Sequence, residues 1–174
     1  MLPRRFMKIT AQEEYGLRCL LRLATAEPES LTLPEISAAE GLSVPYVAKL
    51  MAALRDAGLI TSVRGRSGGY RLAKSADEIG LGSLLLMLGE PLYDDPGYCD
   101  RHPGVLEDGC VHRGACSLKT LWQTLETWMR RNLDQITLAD LIQNKGDLSD
   151  FLRGRLMNFA GDEMSATVPL TVLK

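Results

Sequence analysis

Three cysteines fall close together, in the order Cys99-x10-Cys110-x5-Cys116. Thiolates are soft ligands that suit zinc or iron–sulfur clusters. A structural zinc site usually carries paired cysteines two to four residues apart, and this stretch has no such pair. Wider gaps in a Gly- and Pro-rich segment suit a cluster that a loop must wrap. Spacing by itself leaves an iron–sulfur cluster, zinc and free thiols all open. The fourth cysteine, Cys19, lies within an amphipathic run and reads as a small buried hydrophobe. Three residues are candidates for a fourth ligand. His102 and His112, the only histidines, sit inside the cysteine stretch, and Glu14 could complete an iron site with its carboxylate. The ordinary alternatives are solvated loop histidines and an ion pair between Glu14 and Arg18, four residues on.

A second constellation has the chemistry of nucleic-acid reading. Ser43, Pro45, Tyr46, Ala48, Lys49 and Arg55 fall on one exposed face of a predicted helix. Lys49 and Tyr46 can donate to base edges or phosphates, and Ala48 can pack on a thymine methyl. Arg64, Arg66 and Arg71 follow in and beside a glycine-rich loop, where the backbone can approach a phosphate and arginine can enter a minor groove. Any one of these residues could equally be a solvated surface group. The ordered set carries the inference.

Both constellations need positioning elements, and the patterning supplies them. Thr10-Ala-Gln-Glu13 is a capping box, followed by Leu17, Leu20, Leu21 and Ala24 at the spacing of a buried helical face, with Pro28 closing the element. Thr32-Leu-Pro-Glu35 opens a short second helix that ends at Gly41. Ser43 caps a third, with Pro45 in its first turn, Val47, Leu50, Met51 and Leu54 facing inward, and Gly58 at its end. Two helices joined by Glu40-Gly41-Leu42 have helix-turn-helix spacing. Strand-like runs at 59–63 and 70–72 flank the loop 64–69, which makes a hairpin, or wing. A helix is predicted over 78–89, with Leu81, Leu84, Leu85 and Leu88 on one side. Residues 90–115, with three prolines, four glycines and two of the cysteines, read as a long loop. From Cys116 a strong helix carries Leu118, Leu121, Trp122, Leu125, Trp128, Met129 and Asn132 or Leu133. That stripe is wide enough to face both its own domain and a partner chain. Thr137-Leu-Ala-Asp140 opens a further short helix, and 146–174 are weakly patterned, as in a partly mobile tail.

Composition agrees with this organisation. The chain has 174 residues, 45% apolar and 24% charged, with net charge −2. Residues 1–75 hold eleven Lys and Arg against seven Asp and Glu, so the basic balance lies with the helix-turn-helix. No apolar run is long enough to cross a membrane. The basic start lacks the apolar stretch of a secretory signal, and cytoplasm is the expected compartment. No cofactor loop or nucleophile–base arrangement suggests an enzyme.

Taken together these residues resemble the BadM/Rrf-two family of bacterial winged-helix regulators. The resemblance rests on Met7-Lys-Ile-Thr10, Glu14-Tyr-Gly-Leu-Arg18, the helix from Ser43 to Leu54, Ser62-Val-Arg-Gly65 with Gly68-Gly-Tyr70, the pair Cys110-x5-Cys116, and Ile136-Thr-Leu-Ala-Asp-Leu141. It covers roughly residues 7–145. It implies a homodimer whose long helix, about 117–133, crosses its partner's copy. It also implies an iron–sulfur cluster held by the three loop cysteines near that interface, with cluster state governing operator binding. The branch that regulates iron–sulfur assembly carries a histidine three residues after the last cysteine, where this chain has Lys119. The nitric-oxide-sensing branch uses an acidic residue of the first helix, given across the dimer, and Glu14 occupies that position. The resemblance therefore leans to that branch, makes Glu14 the preferred fourth ligand and favours a four-iron over a two-iron cluster. Family members commonly space all three cysteines by five residues. The ten-residue gap after Cys99 departs from this and leaves His102 or His112 as substitutes.

The expectation is a mainly α protein with a small β-hairpin wing: a winged helix-turn-helix plus a long dimerisation helix. Its divisions are a flexible extension (1–6), the DNA-binding domain (7–89), a cluster loop (90–116), the dimerisation helix and following short helix (117–145) and a tail (146–174). The expected function is a non-enzymatic, operator-binding repressor that senses nitric oxide, redox state or iron–sulfur supply through a cluster. The alternative is the same DNA-binding module with a zinc or thiol/disulfide switch at the same cysteines.

Overall fold

A computed structural model describes residues 9–27, 30–65, 68–91, 93, 97–101, 112, 116–143 and 147–163, with backbone alone for Arg101 and 156–163. The expected extension at 1–6, Arg66, His102 and Cys110 lie outside the described residues.

The amino-terminal unit is built as the patterning predicts. Helix α1 (Ala11–Ala24) starts at a complete capping box, in which the Thr10 hydroxyl accepts the Glu13 N–H and Glu13 accepts the Thr10 N–H. Helix α2 (Leu33–Glu40) has the same device at Thr32 and Glu35, and stops at Gly41, whose φ of 67° is the left-handed conformation glycine adopts without a Cβ penalty. Helix α3 (Val44–Asp56) buries Val47, Leu50, Met51 and Leu54, the four residues read as its inner face. Ser43 occupies the N-cap position of α3, but its side chain makes no capping bond.

Strands β1 (Ile60–Val63) and β2 (Gly69–Leu72) pair antiparallel, from Ile60 opposite Leu72 to Val63 opposite Gly69. Leu31 joins them through a reciprocal backbone pair with Tyr70, at 3.0 and 2.8 Å. Gly69 makes this possible, because a Cβ there would lie 2.5 Å from the Leu31 carbonyl oxygen. The core unites α1, α2, α3 and the hairpin through Leu20, Ile36, Leu50, Leu54 and Ile60. Its centre on α1 differs from expectation. Gly16, Cys19, Leu20 and Leu23 are buried, whereas Leu17, Leu21 and Ala24 are only half-buried. The buried face is turned toward Gly16 because α4 approaches there: a Cβ on Gly16 would lie 2.9 Å from Leu88 Cδ1.

The expected helix over 78–89 begins later, as α4 (Leu81–Leu88), preceded by one 3-10 turn at Ala76–Glu78. The predicted loop carries a short helix, α5 (Gly97–Arg101). Helix α6 (Ser117–Leu133) has the predicted extent, and α7 (Leu138–Gln143) follows a Thr137–Asp140 reciprocal cap. Residues 148–163, read as weakly patterned, form helix α8 (Leu148–Glu163), which touches α6.

A tight corner sets α6 against the rest. The Leu81 N–H donates to the Ile136 carbonyl and the Leu138 N–H to the Ile79 carbonyl, each at 2.9 Å. Asp134, just past the end of α6, caps α4 from 51 residues away: its Oδ1 accepts the Ser83 N–H at 2.7 Å and its Oδ2 the Ser83 hydroxyl at 3.2 Å. Gly82 lies so near the Arg130 carbonyl that any Cβ would overlap it.

Candidate nucleic-acid interface and cysteine site

The helix-turn-helix face is exposed where it must be. Ser43, Pro45 and Lys49 are exposed along the first half of α3, and Tyr46 is half-buried between them. The first turn of α3 contains no acidic residue, so its backbone N–H groups present partial positive charge to an approaching phosphate. Arg55 lies at the far end of α3, is exposed, and sits 3.4 Å from Asp56, a weak pair in water. The turn between α2 and α3 is braced from α1 by an ion pair of Arg22 Nε with Glu40 Oε1 at 2.9 Å. Arg22 thereby offsets an acid at the carboxyl end of α2, where the helix dipole disfavours it.

The wing is a turn that glycine makes possible. Gly65 has φ of 110°, its carbonyl accepts the Gly68 N–H at 2.9 Å, and a Cβ on Gly68 would lie 2.8 Å from the Gly65 oxygen. Arg64 is exposed at the base of this turn, and Arg71 is exposed on β2 opposite Thr61.

The cysteines divide as their contexts dictate. Cys19 is buried in the α1 core, and burial pushes its thiol up to about 11, which fits the inert hydrophobe read from its position. Cys99 is half-buried on α5. Cys116 is half-buried at the N-cap of α6, where its Sγ accepts the Lys119 N–H at 3.4 Å. A thiolate ligand there faces the positive end of a 17-residue helix. His112 is exposed. Among the described residues no three His, Cys, Asp or Glu side chains are grouped closely enough to hold a metal. In this single chain, Glu14 Oε1 is 2.8 Å from the Arg18 guanidinium, which raises the Arg18 pKa. The ion-pair alternative for Glu14 is thus realised within the single chain. The soft donors Cys99 and Cys116, half-buried at two ends of one segment that also contains Cys110, fit the chemistry of a thiolate-bound cluster.

Sequence reasoning missed one cluster at the interface. The Tyr15 ring meets the Tyr46 ring edge-on, with centroids 5.9 Å apart and planes at 86°, and the Arg18 guanidinium lies 5.6 Å from the Tyr15 centroid. An aromatic residue in α1 four positions before Cys19 was the available signal, but only the packing of α1 on α3 pairs it with Tyr46.

Comparison with known proteins is consistent with this geometry. The family model described as "Rrf2: Iron-dependent Transcriptional regulator" matches residues 9–144. The chain is 38% identical over 140 residues to the protein Rrf2 of Nitratidesulfovibrio vulgaris, covering 79% of this chain and 89% of that one. Its fold is similar to that of T. potens IscR, with a TM-score of 0.60 at 30% identity over 81% of this chain and 90% of the other. It is also similar to an oxidized form of Staphylococcus aureus CymR, with a TM-score of 0.55 at 32% identity over 79% and 97% of the two chains. No helix among the described residues is long and apolar enough to cross a membrane.

Proposed function

The chain belongs to the Rrf2 family of transcriptional regulators, and from that premise we propose that it is a homodimeric, operator-binding repressor controlled by an iron–sulfur cluster. Cys99, Cys110 and Cys116 hold the cluster, and Glu14 of the partner subunit supplies the fourth ligand, in the manner of a nitric-oxide or redox sensor; His102 and His112 are the substitutes for Glu14. A four-iron cluster is the preferred type. When bound, the cluster supplies an iron centre that reacts with nitric oxide and oxidants and can be lost to them.

The observation that carries this reading is the position of Cys116. It caps the amino end of α6, and α6 leaves Leu118, Leu121 and Trp128 exposed by 56%, 46% and 47% along one side. These residues recur at steps of three and seven, as a helix–helix seam requires. Beside them a groove of about 330 Å³ between α4 and α6 is lined by Leu85, Leu86, Met129 and Leu133. A second copy packed on this surface brings the cysteine segment to the interface. Tyr46, Lys49 and Arg64 then read and clamp the operator from each subunit, with Ser43, Pro45, Arg55, Arg66 and Arg71 completing the contact.

Anaerobic purification followed by absorbance spectroscopy tests the reading. A visible band that Cys116→Ala removes while the protein stays folded and dimeric supports it. Colourless protein after reconstitution with iron and sulfide rejects the cluster. The second reading, a zinc or thiol/disulfide switch at the same cysteines, is favoured by the likeness to a regulator captured in an oxidized form. Stoichiometric zinc or a reversible disulfide in iron-free protein selects it.

A further inference from the structure

A continuous chain of four side chains runs along α1 and crosses to α3 at its last link. Glu14 holds the Arg18 guanidinium at 2.8 Å, Arg18 lies against the Tyr15 ring, and Tyr15 meets Tyr46 edge-on. Glu14, Tyr15 and Arg18 lie within two turns of α1, whereas Tyr46 stands in the first turn of α3. Tyr15 and Tyr46 both pack partly against the core, so their relative pose is set by rigid neighbours. An aromatic edge contact and a cation over a ring each have a preferred geometry. Each link therefore restricts the next.

We propose that Tyr15 and Arg18 are positioning residues for DNA reading, fixing the ring of Tyr46 and the first turn of α3 in the pose that reads the operator. This rests on the assignment of α3 as the DNA-reading helix and deepens it. The chain of contacts ends at Glu14, so whatever takes the Glu14 carboxylate from Arg18 removes the outermost brace. Ligation of Glu14 in the partner's site is one such event, and it gives that site a direct route to the base-reading surface.

The test uses the full-length protein purified anaerobically and a duplex that the wild type selects from a random-sequence library. Affinity is measured by fluorescence anisotropy for that duplex and for each of its single-base-pair variants, at several salt concentrations. Arg18→Met and Tyr15→Leu should each weaken binding about three- to tenfold. They should flatten preference at the same base pairs that Tyr46→Ala relaxes, and leave the salt slope unchanged because no phosphate contact is lost. Combined with Tyr46→Ala, either change should add less than twofold, as expected of residues acting as a unit. Glu14→Gln, compared in iron-free protein where Glu14 stays on Arg18, should shift preference at the same positions, by a smaller factor. Uniform weakening across all sequences, full additivity with Tyr46→Ala, a reduced salt slope or unchanged affinity overturns the relay. Arg18 is half-exposed, so Arg18→Met keeps the test open if Tyr15→Leu does not fold. A wild type that enriches no sequence removes the DNA-reading assignment itself, an outcome distinct from failure of the variants alone.

Discussion

Replacing Leu121 by alanine is the sharpest probe of the proposed pairing of this chain with a second copy through α6. Leu121 lies mid-way along the outward stripe of α6 and keeps 46% of its surface exposed in one chain. Complete burial of a leucine side chain contributes about 2 kcal/mol, so roughly 1 kcal/mol is left for a partner to realise. A two-fold interface presents the same residue twice, and the loss doubles to about 2 kcal/mol, or about 30-fold in the dimer dissociation constant. Sedimentation equilibrium over a wide concentration range measures that constant, and circular dichroism checks that the helices remain. Leu20→Ala is the contrasting variant: Leu20 is fully buried within the chain, so its loss should cost about 2–5 kcal/mol of folding stability instead. A dissociation constant for Leu121→Ala within threefold of wild type, with helicity intact, would refute the assignment of α6 as the seam.

Gly82→Ala should destabilise the protein by about 1–2 kcal/mol despite alanine's better helix propensity, because the new Cβ meets the Arg130 carbonyl and disturbs the Asp134–Ser83 cap. Gly154→Ala on α8 meets nothing within 4 Å and should be neutral or slightly stabilising; thermal melts separate the two. Cys19, held protonated to about pH 11, should resist alkylation in native protein at pH 8 and react once the chain is unfolded, as peptide mass mapping would show. Its folded pKa is raised, so the associated stability is fully present below the unfolded value near 9 and is lost as pH rises toward 11. The Glu35 carboxyl is held below its usual range by the Thr32 N–H and hydroxyl, so its contribution is present above the ordinary glutamate pKa and lost as pH falls through the depressed one. Glu35→Gln should accordingly flatten the acid limb of a stability-versus-pH curve measured by urea denaturation. Arg64→Ala should weaken operator binding and reduce the salt slope by about one; an unchanged slope in anisotropy titrations removes its phosphate role.

Much of this architecture was legible because it is local. The two capping boxes are four-residue signals, and α3 shows its inner face through four apolar residues at helical spacing. The face of α1 was misjudged because leucines dominate a pattern of apolar residues. The close approach of α4 selects a small residue instead, here Gly16, with Cys19 buried on the same side. The stripe on α6 was legible as a whole but not in its division, since periodicity does not say which apolar residues meet their own domain. Helix α8 was missed although Leu148, Phe151, Leu152, Leu156 and Phe159 recur at steps of three and four; Gly154 and Gly161 obscure the run. Asp134 capping α4 and Tyr15 meeting Tyr46 depend on residues brought together from far apart in the chain, and no spacing rule announces either.

The corner where Gly82 nests against the Arg130 carbonyl bears on mechanical gearing. Seventeen residues of α-helix extend about 25 Å, so a rotation of about 5° at that corner displaces the far tip of α6 by roughly 2 Å. Half-sites on B-form DNA recur every 34–36 Å or so, and side chains that miss a base edge by 2 Å lose their hydrogen bonds. In the proposed dimer, a lever of this length would turn a hinge tolerance of a few degrees into the difference between registering with two grooves and straddling them. The absence of a side chain at Gly82 is what lets α4 approach the Arg130 carbonyl at that corner.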